Sequence, residues 1–411
     1  MIPDKNNTYC HYPFKELAIK NYHGNKLLAA WPCCMMGNLP SEIGGTNSLI
    51  PDPHHYTPEE LFQHPRYELL RNNLLNGVKD PACKVCWDQE SRGLKSFRFF
   101  SNGAPDIEDG QLAVLDISTS NICNLRCRMC SPTSSNSLMI DYKEFSKKGE
   151  KYLDEIYEVT NFFVKGSDFI AIDAVNSIQW QWLMENTEKI KMLKASGGEP
   201  FYDKKVLSLL DKYIETGNAK NTILNFHTNG TLIDDALIDK LNQFKSNVHN
   251  FSIDGFDKTY EYVRYPANFK ELDKILRNYC KKIKTEGPLR VTMVLTSLNL
   301  FSVPNFVNWI YSVNNNTTVN FAEVYGFDRG TSLNRLPVSL LQRALEEIDK
   351  SHPLKPRDSK YDNLIIQIQN AINNNKENKE LMLKEISYFD TSRNQNFRNF
   401  LDPILVQWLD S

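Results

Sequence analysis

The chain has 411 residues, with 48 Lys and Arg against 50 Asp and Glu, and a formal net charge of −2 that supplies no global field for nucleic acid. Nine cysteines occur beside an untargeted N-terminus, Met1-Ile2-Pro3-Asp4-Lys5, and no apolar run is long enough to span a bilayer. That combination argues against a disulfide framework and for a reducing, cytoplasmic setting, in a chain long enough for two or three domains.

The first ninety residues hold Cys10, Cys33, Cys34, Cys83 and Cys86. Leu17 to Tyr22 and Lys26 to Ala30 flank His23-Gly24-Asn25 and read as a β-hairpin. Pro32-Cys33-Cys34 follows it, and Pro81-Ala82-Cys83-Lys84-Val85-Cys86-Trp87 adds a C-x2-C knuckle. Four thiolates from Cys10, one of Cys33 or Cys34, Cys83 and Cys86 would close a metal site completely. Zinc and an iron–sulfur cluster both suit such a set. Cys33 is preferred over Cys34 as the ligand.

A strand-like stretch, Leu112 to Ser118, leads into Cys123-Asn124-Leu125-Arg126-Cys127-Arg128-Met129-Cys130. The spacing C-x3-C-x2-C offers three thiolates, one fewer than a closed structural zinc site needs. Three cysteines on a short loop can hold three corners of a [4Fe–4S] cubane and leave the fourth iron open. Ser131 to Lys189 is too long for a plain crossover. It contains an amphipathic piece, Tyr152 to Phe163, and an aromatic segment around Trp180 and Trp182, either an insertion at a substrate opening or extra packing.

Strands and helices then alternate. Ile190 to Ala195 precedes Ser196-Gly197-Gly198-Glu199-Pro200, and Asp203 caps a helix with Val206, Leu209, Leu210, Tyr213 and Ile214 on one face. Thr222 to Thr228 ends in Asn229-Gly230, and Asp234 opens a helix with Leu237, Leu241 and Phe244. Val248 to Ile253 runs into Ser252, Asp254 and Gly255, followed by Tyr262 and Arg264. Leu272, Ile275, Leu276, Tyr279 and Ile283 mark a third helix, on whose apolar face Cys280 reads as core. Leu289 to Leu295 and Thr318 to Val324 supply two more strands. The alternation implies βα units with a parallel sheet, whose functional loops lie at the C-terminal ends of the strands. From about Leu336 the pattern becomes helical, over Val338 to Ile348, Asn363 to Ile372 and Glu380 to Ile386.

The C-x3-C-x2-C loop after a first strand resembles the cluster loop of the radical S-adenosylmethionine (SAM) superfamily. Ser196 to Pro200 resembles that family's GGEP segment, Thr228-Asn229-Gly230 its third strand, and Ser252, Asp254 and Arg264 its fourth-strand pattern. The resemblance implies an α/β fold: a partial (β/α)6 TIM-like radical SAM barrel over residues 111–335. A small cysteine-rich module at 1–110 precedes it and a helical region at 336–411 follows. The hairpin and cysteines of residues 8 to 98 resemble the auxiliary-cluster modules called SPASM and twitch, here placed before the barrel. Asp390, Arg393, Phe397 and Pro403 resemble a tail found in some of these relatives.

By that resemblance, Cys123, Cys127 and Cys130 hold a [4Fe–4S] cluster whose open iron binds SAM. Met129 lies near the adenine; Gly197, Gly198 and Glu199 serve the amino group; Asn229, Ser252, Asp254 and Arg264 complete the SAM site. Asn299 either reaches SAM or is a turn residue. Reduction by a flavodoxin or ferredoxin would cleave SAM to a 5′-deoxyadenosyl radical that abstracts hydrogen from a substrate. The substrate expected is a peptide or protein side chain, the alternative a small metabolite, sugar or nucleotide. A second [4Fe–4S] cluster at the N-terminal cysteines would accept an electron, making the reaction oxidoreductase-type. A non-enzymatic zinc scaffold is the alternative of another class.

Overall fold

The structure, a computed structural model, describes residues 8–22, 27–33, 50, 53–99, 110–131, 134–147, 178–284, 287–323, 329–350 and 359–411. Two compact units emerge, the first comprising Met1–Ile122, Gly166–His227 and Asp239–Val248, the second Cys123–Lys165, Thr228–Ile238 and His249–Ser411. The amphipathic piece expected at Tyr152 to Phe163 and the second member of the Cys33-Cys34 pair lie outside the described residues.

In the first unit the predicted hairpin forms as β1 (Glu16–Tyr22) and β2 (Leu27–Trp31), paired antiparallel. Unexpectedly, β1 also pairs in parallel with β3 (Val114–Ser118), in the register Ala18↔Asp116 and Lys20↔Ser118. The hairpin therefore extends the parallel sheet. From β3 the sheet continues through β4 (Met192–Ala195) and β5 (Ile223–Thr228) to the short β6 (Ser246–Asn247), all parallel. Every residue of β3 and β4 is buried, as in a sheet covered on both faces. One cover is the helix Lys204–Glu215, which buries Val206, Leu209, Leu210 and Tyr213 and starts where the Asp203 carboxylate accepts from Lys205 N–H at 2.9 Å.

The sheet interior also carries charge. Lys194 meets both Glu16 carboxylate oxygens, at 3.0 and 2.9 Å, and Lys20 donates to Asp116 at 2.8 Å and to the Ser196 hydroxyl. These pairs join β1 to β3 and β4 across more than ninety residues of sequence, and they fix the register that apolar alternation alone leaves free.

In the second unit β7 (Asn250–Ser252), β8 (Leu289–Leu295) and β9 (Thr317–Glu323) run parallel. β8 alternates strictly, burying Leu289, Val291, Met293 and Leu295. The helix Phe269–Lys282 buries Phe269, Leu272, Leu276 and Tyr279, with Tyr279 edge-on to Phe251 of β7 at 5.0 Å between centroids. Cys280 on this helix is only half-buried, not core: it sits at the margin of the apolar stripe. The C-terminal residues form the helices Val338–Lys350, Ser359–Asn373, Lys379–Arg393 and Pro403–Asp410. The α/β class expected from the sequence, parallel strands with intervening helices, is the one observed. No helix among the described residues is long and apolar enough to cross a membrane.

Candidate active site

The cysteine loop belongs to the second unit, where one hydrogen bond after another shapes it. Cys123 N–H donates to the Asn136 side chain at 3.3 Å, and the Ser137 and Ser135 hydroxyls donate to the carbonyls of Cys123 and Leu125 at 2.5 and 2.6 Å. Arg126 and Arg128 donate their backbone N–H groups to the carbonyls of Tyr265 and Val263, at 2.7 and 2.8 Å. Asn229 donates to the Asn124 side chain at 2.8 Å and accepts from Thr231 N–H and hydroxyl, so its amide braces the loop. Buried guanidinium groups close the far side. Arg393 donates to the Arg126 carbonyl at 2.6 Å, and Arg329 donates to the carbonyls of Arg128 and Cys130 at 2.6 and 2.9 Å.

The sulfurs of Cys123, Cys127 and Cys130 have polar neighbours. None of the three is in a disulfide. Leu125 N–H approaches the Cys123 sulfur at 3.5 Å, and Arg264 Nη1 lies 3.8 Å from that of Cys127. Burial pushes the Cys127 thiol up to about 12, with Arg264 opposing that rise; burial raises Cys130 too, against the Ser131 backbone and Arg329. Cys130 packs against the cluster of Leu138, Tyr142, Phe145, Tyr388 and Phe389.

Arg264 is anchored from behind. Its Nε donates to Asp254 Oδ2 at 2.6 Å, while Asp254 Oδ1 accepts from Val294 N–H at 2.6 Å. Burial works against the guanidinium charge, yet Asp254 and the Cys127 sulfur raise its pKa above the ordinary arginine value. The cation therefore stays beside the cysteine. Ser252 ends β7 half-buried, and Met129 is half-buried in the loop. Asn299 is a turn residue: its side chain accepts from Thr296 N–H at 2.8 Å and donates to the carbonyls of Val294 and Asp254, at 2.8 and 3.2 Å.

Gly197, Gly198 and Glu199 lie in the first unit. Gly197 has φ +118°, and a Cβ there would fall 2.1 Å from Ser118 Oγ; one on Gly198 would fall 2.1 Å from the Ile122 carbonyl oxygen. Both glycines are thus required by the close approach of the chain leaving β3. Gly198 and Glu199 donate their N–H groups to the Ser120 and Ile122 carbonyls at 3.1 and 2.8 Å. The buried Glu199 carboxylate accepts from Phe201 N–H at 3.1 Å.

The N-terminal cysteines also gather in the first unit. Cys10 and Cys33 share a core cluster with Ala18, Trp31, Leu70, Leu74 and Ala82, against which Tyr12, Cys83 and Trp87 pack. Asp80 opens the knuckle: it accepts from Ala82 N–H at 2.9 Å and from Asn73 and Arg66, and its carbonyl accepts from Trp87 Nε1 at 2.9 Å. Burial raises the Cys10 thiol to about 12 and lifts Cys83 and Cys86. The Tyr12 backbone eases Cys10; the Arg98 backbone and the Ser96 hydroxyl ease Cys86. Cys83 feels both Cys10 and Cys86, and Cys10 feels Cys86, so these three stand close enough to oppose one another's ionisation. Arg98, paired with Glu90 at 2.7 Å, stacks over Trp87 beside them.

Both donor sets fit an iron–sulfur group by their chemistry: unbridged cysteines, sulfur-directed N–H and O–H donors, and neighbouring cations. Among the described residues, no three His, Cys, Asp or Glu side chains converge as a ready site for one metal ion. A cubane makes a different demand, since each thiolate takes its own iron.

The sequence offers the cysteines, glycines, Asn229, Asp254 and Arg264 as candidates, while the Ser135, Ser137 and Arg329 donors stand in no motif. Ser134-Ser135-Asn136-Ser137, directly after the last cysteine, was the available signal. Arg329, 199 residues from Cys130, gave none.

A parallel α/β protein with a three-cysteine loop, braced by a buried arginine–aspartate pair, defines the class. Residues 117–310, the stretch that carries the three-cysteine loop, match the family model of the radical SAM superfamily. No curated protein matches it. Among solved structures it is similar to Streptococcus suis SuiB bound to S-adenosylmethionine, at 13% identity and TM-score 0.34, covering 68% of this chain and 49% of that one. SuiB bound to the precursor peptide SuiA gives 14% and 0.37, with 80% and 62% covered. For native anSMEcpe with bound AdoMet the values are 19% and 0.36, with 58% and 60% covered. The chain thus spans about half to three-fifths of these structures' lengths.

Proposed function

We propose that this protein is a radical SAM enzyme with two iron–sulfur sites that modifies a peptidyl substrate. The observation that carries the reading is the Cys123–Cys130 loop, with its carbonyls tied to donors, its thiols unbridged and Arg264 beside Cys127, inside the matched domain. Cys123, Cys127 and Cys130 would hold a [4Fe–4S] cluster. When bound, it supplies one electron to the sulfonium of SAM, releasing methionine and a 5′-deoxyadenosyl radical that takes a hydrogen atom from the substrate.

The chain's residues do the rest. Arg264, fixed on Asp254, keeps a cation at the Cys127 side of the cluster, where a carboxylate ligand would find it. Ser252 offers a hydroxyl at the end of β7, and Met129 a soft apolar surface for a base. Gly197 and Gly198 set the carbonyls of the Ser196–Pro200 turn for an ammonium, and Asn229 keeps Asn124 and the loop in place. Cys10, Cys33, Cys83 and Cys86 would bind a second [4Fe–4S] cluster, closed to SAM and able to take an electron from the substrate radical; zinc is the competing occupant. A flavodoxin or ferredoxin would reduce the first cluster. The peptidyl assignment rests on the likeness of the N-terminal cysteines to SPASM and twitch modules, with a small metabolite as the competing substrate.

The test is anaerobic reconstitution, an iron and sulfide count, and reduced EPR with and without SAM, on the parent and on a Cys123→Ala, Cys127→Ala, Cys130→Ala variant. About eight irons, falling to about four, with a SAM-dependent spectrum only in the parent, is the expected result. About four irons lost entirely in the variant would remove the second cluster; no iron at all would leave a zinc scaffold. A screen of peptides against small metabolites for 5′-deoxyadenosine release decides the substrate class.

A further inference from the structure

We propose that the Arg329–Gly330–Thr331 turn is a clamp that holds the cysteine loop in its cluster-binding form, with Arg329 as the positioning residue. The proposal rests on the reading of Cys123, Cys127 and Cys130 as cluster ligands. Arg329 is 3% exposed, and its two Nη atoms span the carbonyls on either side of Met129, those of Arg128 and Cys130. With Arg393 on the Arg126 carbonyl, the carbonyls of Arg126, Arg128 and Cys130 end on guanidinium nitrogens. A planar fork can serve two fixed acceptors at once; a lysine ammonium on its flexible stem cannot hold the same geometry.

The turn itself is seated from two sides. Gly330 lies so close to the helix Lys379–Arg393 that a Cβ would fall 2.7 Å from the Leu381 carbonyl oxygen and 3.0 Å from Glu385 Oε2. Thr331 donates its N–H and hydroxyl to the buried Glu385 carboxylate at 3.2 and 3.1 Å. Its carbonyl accepts from Ser297, the N–H at 2.9 Å and the hydroxyl at 3.0 Å. Ser332 closes the turn, accepting from Arg329 N–H at 3.0 Å. A path of direct contacts therefore runs from the helix Lys379–Arg393 through three residues to the peptides that carry Met129 and Cys130. In this arrangement the helix does more than pack Tyr388 and Phe389 against Phe145: it sets the loop.

The experiment uses the full chain, reconstituted anaerobically, as parent, Arg329→Lys and Gly330→Ala. Two readouts do not require turnover: the rate of iron loss from the cluster on Cys123, Cys127 and Cys130 to a chelator, and the EPR spectrum of that cluster, reduced, without SAM. Its iron is taken as the amount absent from the Cys123→Ala, Cys127→Ala, Cys130→Ala variant. Arg329→Lys keeps the charge and loses the fork; Gly330→Ala keeps Arg329 and moves the turn. Both are expected to lose this iron about tenfold faster than the parent, with shifted g-values, because two buried carbonyls lose aligned donors. Parent-like iron loss and spectrum in Arg329→Lys would overturn the clamp, and the same in Gly330→Ala would overturn the role of the turn. Absence of iron from the parent itself would instead sink the cluster reading. Should Arg329→Lys not fold, Gly330→Ala, which removes no polar group, carries the decision.

Discussion

Lysine at position 194 is the sharpest point at which the first unit can be tested. Its ammonium, in a side chain 6% exposed, sits between both oxygens of Glu16, itself 1% exposed, and 5.2 Å from the centre of the Tyr12 ring. Lys194→Met keeps most of the side-chain volume but leaves Glu16 buried without its cation. Breaking one side of a buried pair costs roughly 3–5 kcal/mol, most of it the desolvation of the orphaned partner. Removing both partners abolishes that orphan, so Glu16→Leu with Lys194→Met should lie within about 2 kcal/mol of the parent. The acid limb adds a second signature. Burial already raises the Glu16 pKa above the ordinary 4.5, with Lys194 the chief opposing influence. Without Lys194 the folded-state value climbs further above the unfolded one. Stability of Lys194→Met is then greatest below the unfolded value and is lost as pH rises through the folded value. The assay is urea unfolding of parent, both single variants and the double variant at several pH values. A Lys194→Met cost below about 1 kcal/mol, or a double variant costing the sum of the singles, would refute the reasoning.

Other outcomes follow from the same structure. Gly198→Ala forces a Cβ onto the Ile122 carbonyl, a backbone atom that cannot rotate away, and should lower unfolding stability by at least about 2 kcal/mol. Asp390→Ala removes the acceptor shared by Arg128 (2.6 Å), the Tyr262 hydroxyl (2.8 Å) and Phe397 N–H (2.8 Å). Its expected cost is about 2–4 kcal/mol, together with faster tryptic cleavage of residues beyond 394. Cys83→Ala with Cys86→Ala should remove about four irons from the reconstituted chain while the SAM-dependent EPR change survives. Loss of that change would mean the two sites are not independent.

How much of this was legible in the chain depended on the range of the interaction. Alternation in Leu289 to Leu295 and the apolar stripe from Leu272 gave strand and helix because neighbours a few residues apart decide them. The hairpin was legible for the same reason. That β1 would also pair with β3 was not, because a strand's sequence specifies its faces and leaves its neighbour open. That Ser118 and Ile122 pack against the glycines at 197 and 198 was not legible either, because these partners stand far away in sequence. Arg264 was found as a cation, while its setting between Asp254 and Cys127 needed residues 10 and 137 positions away. Asp390 and Arg393 were noticed only as a tail pattern, and their hold on Arg128 and Arg126 crosses more than 260 residues.

The chemistry around the loop explains why so many of those distant partners are arginines. Arg126, Arg128, Arg264, Arg329 and Arg393 surround the three cysteines, with Asp141, Asp254 and Asp390 as their carboxylate partners. Guanidinium groups outnumber carboxylates in this set, an imbalance that would be costly in a buried site standing alone. On the reading proposed above, an iron–sulfur cluster held by the three thiolates would bring net negative charge to this site, and an electron arriving on it would make the assembly more negative still. A fixed excess of cations would then favour loading of the loop and reduction of the cluster. Arginine meets this demand better than lysine. It stays charged when buried, and its fork binds backbone carbonyls while the charge remains in place. The same side chains thus shape the loop and set its electrostatics. Replacing Arg329 or Arg393 by glutamine should consequently lower the reduced fraction of the cluster at fixed potential as well as its retention; a change in retention alone would confine the arginines to shaping the loop.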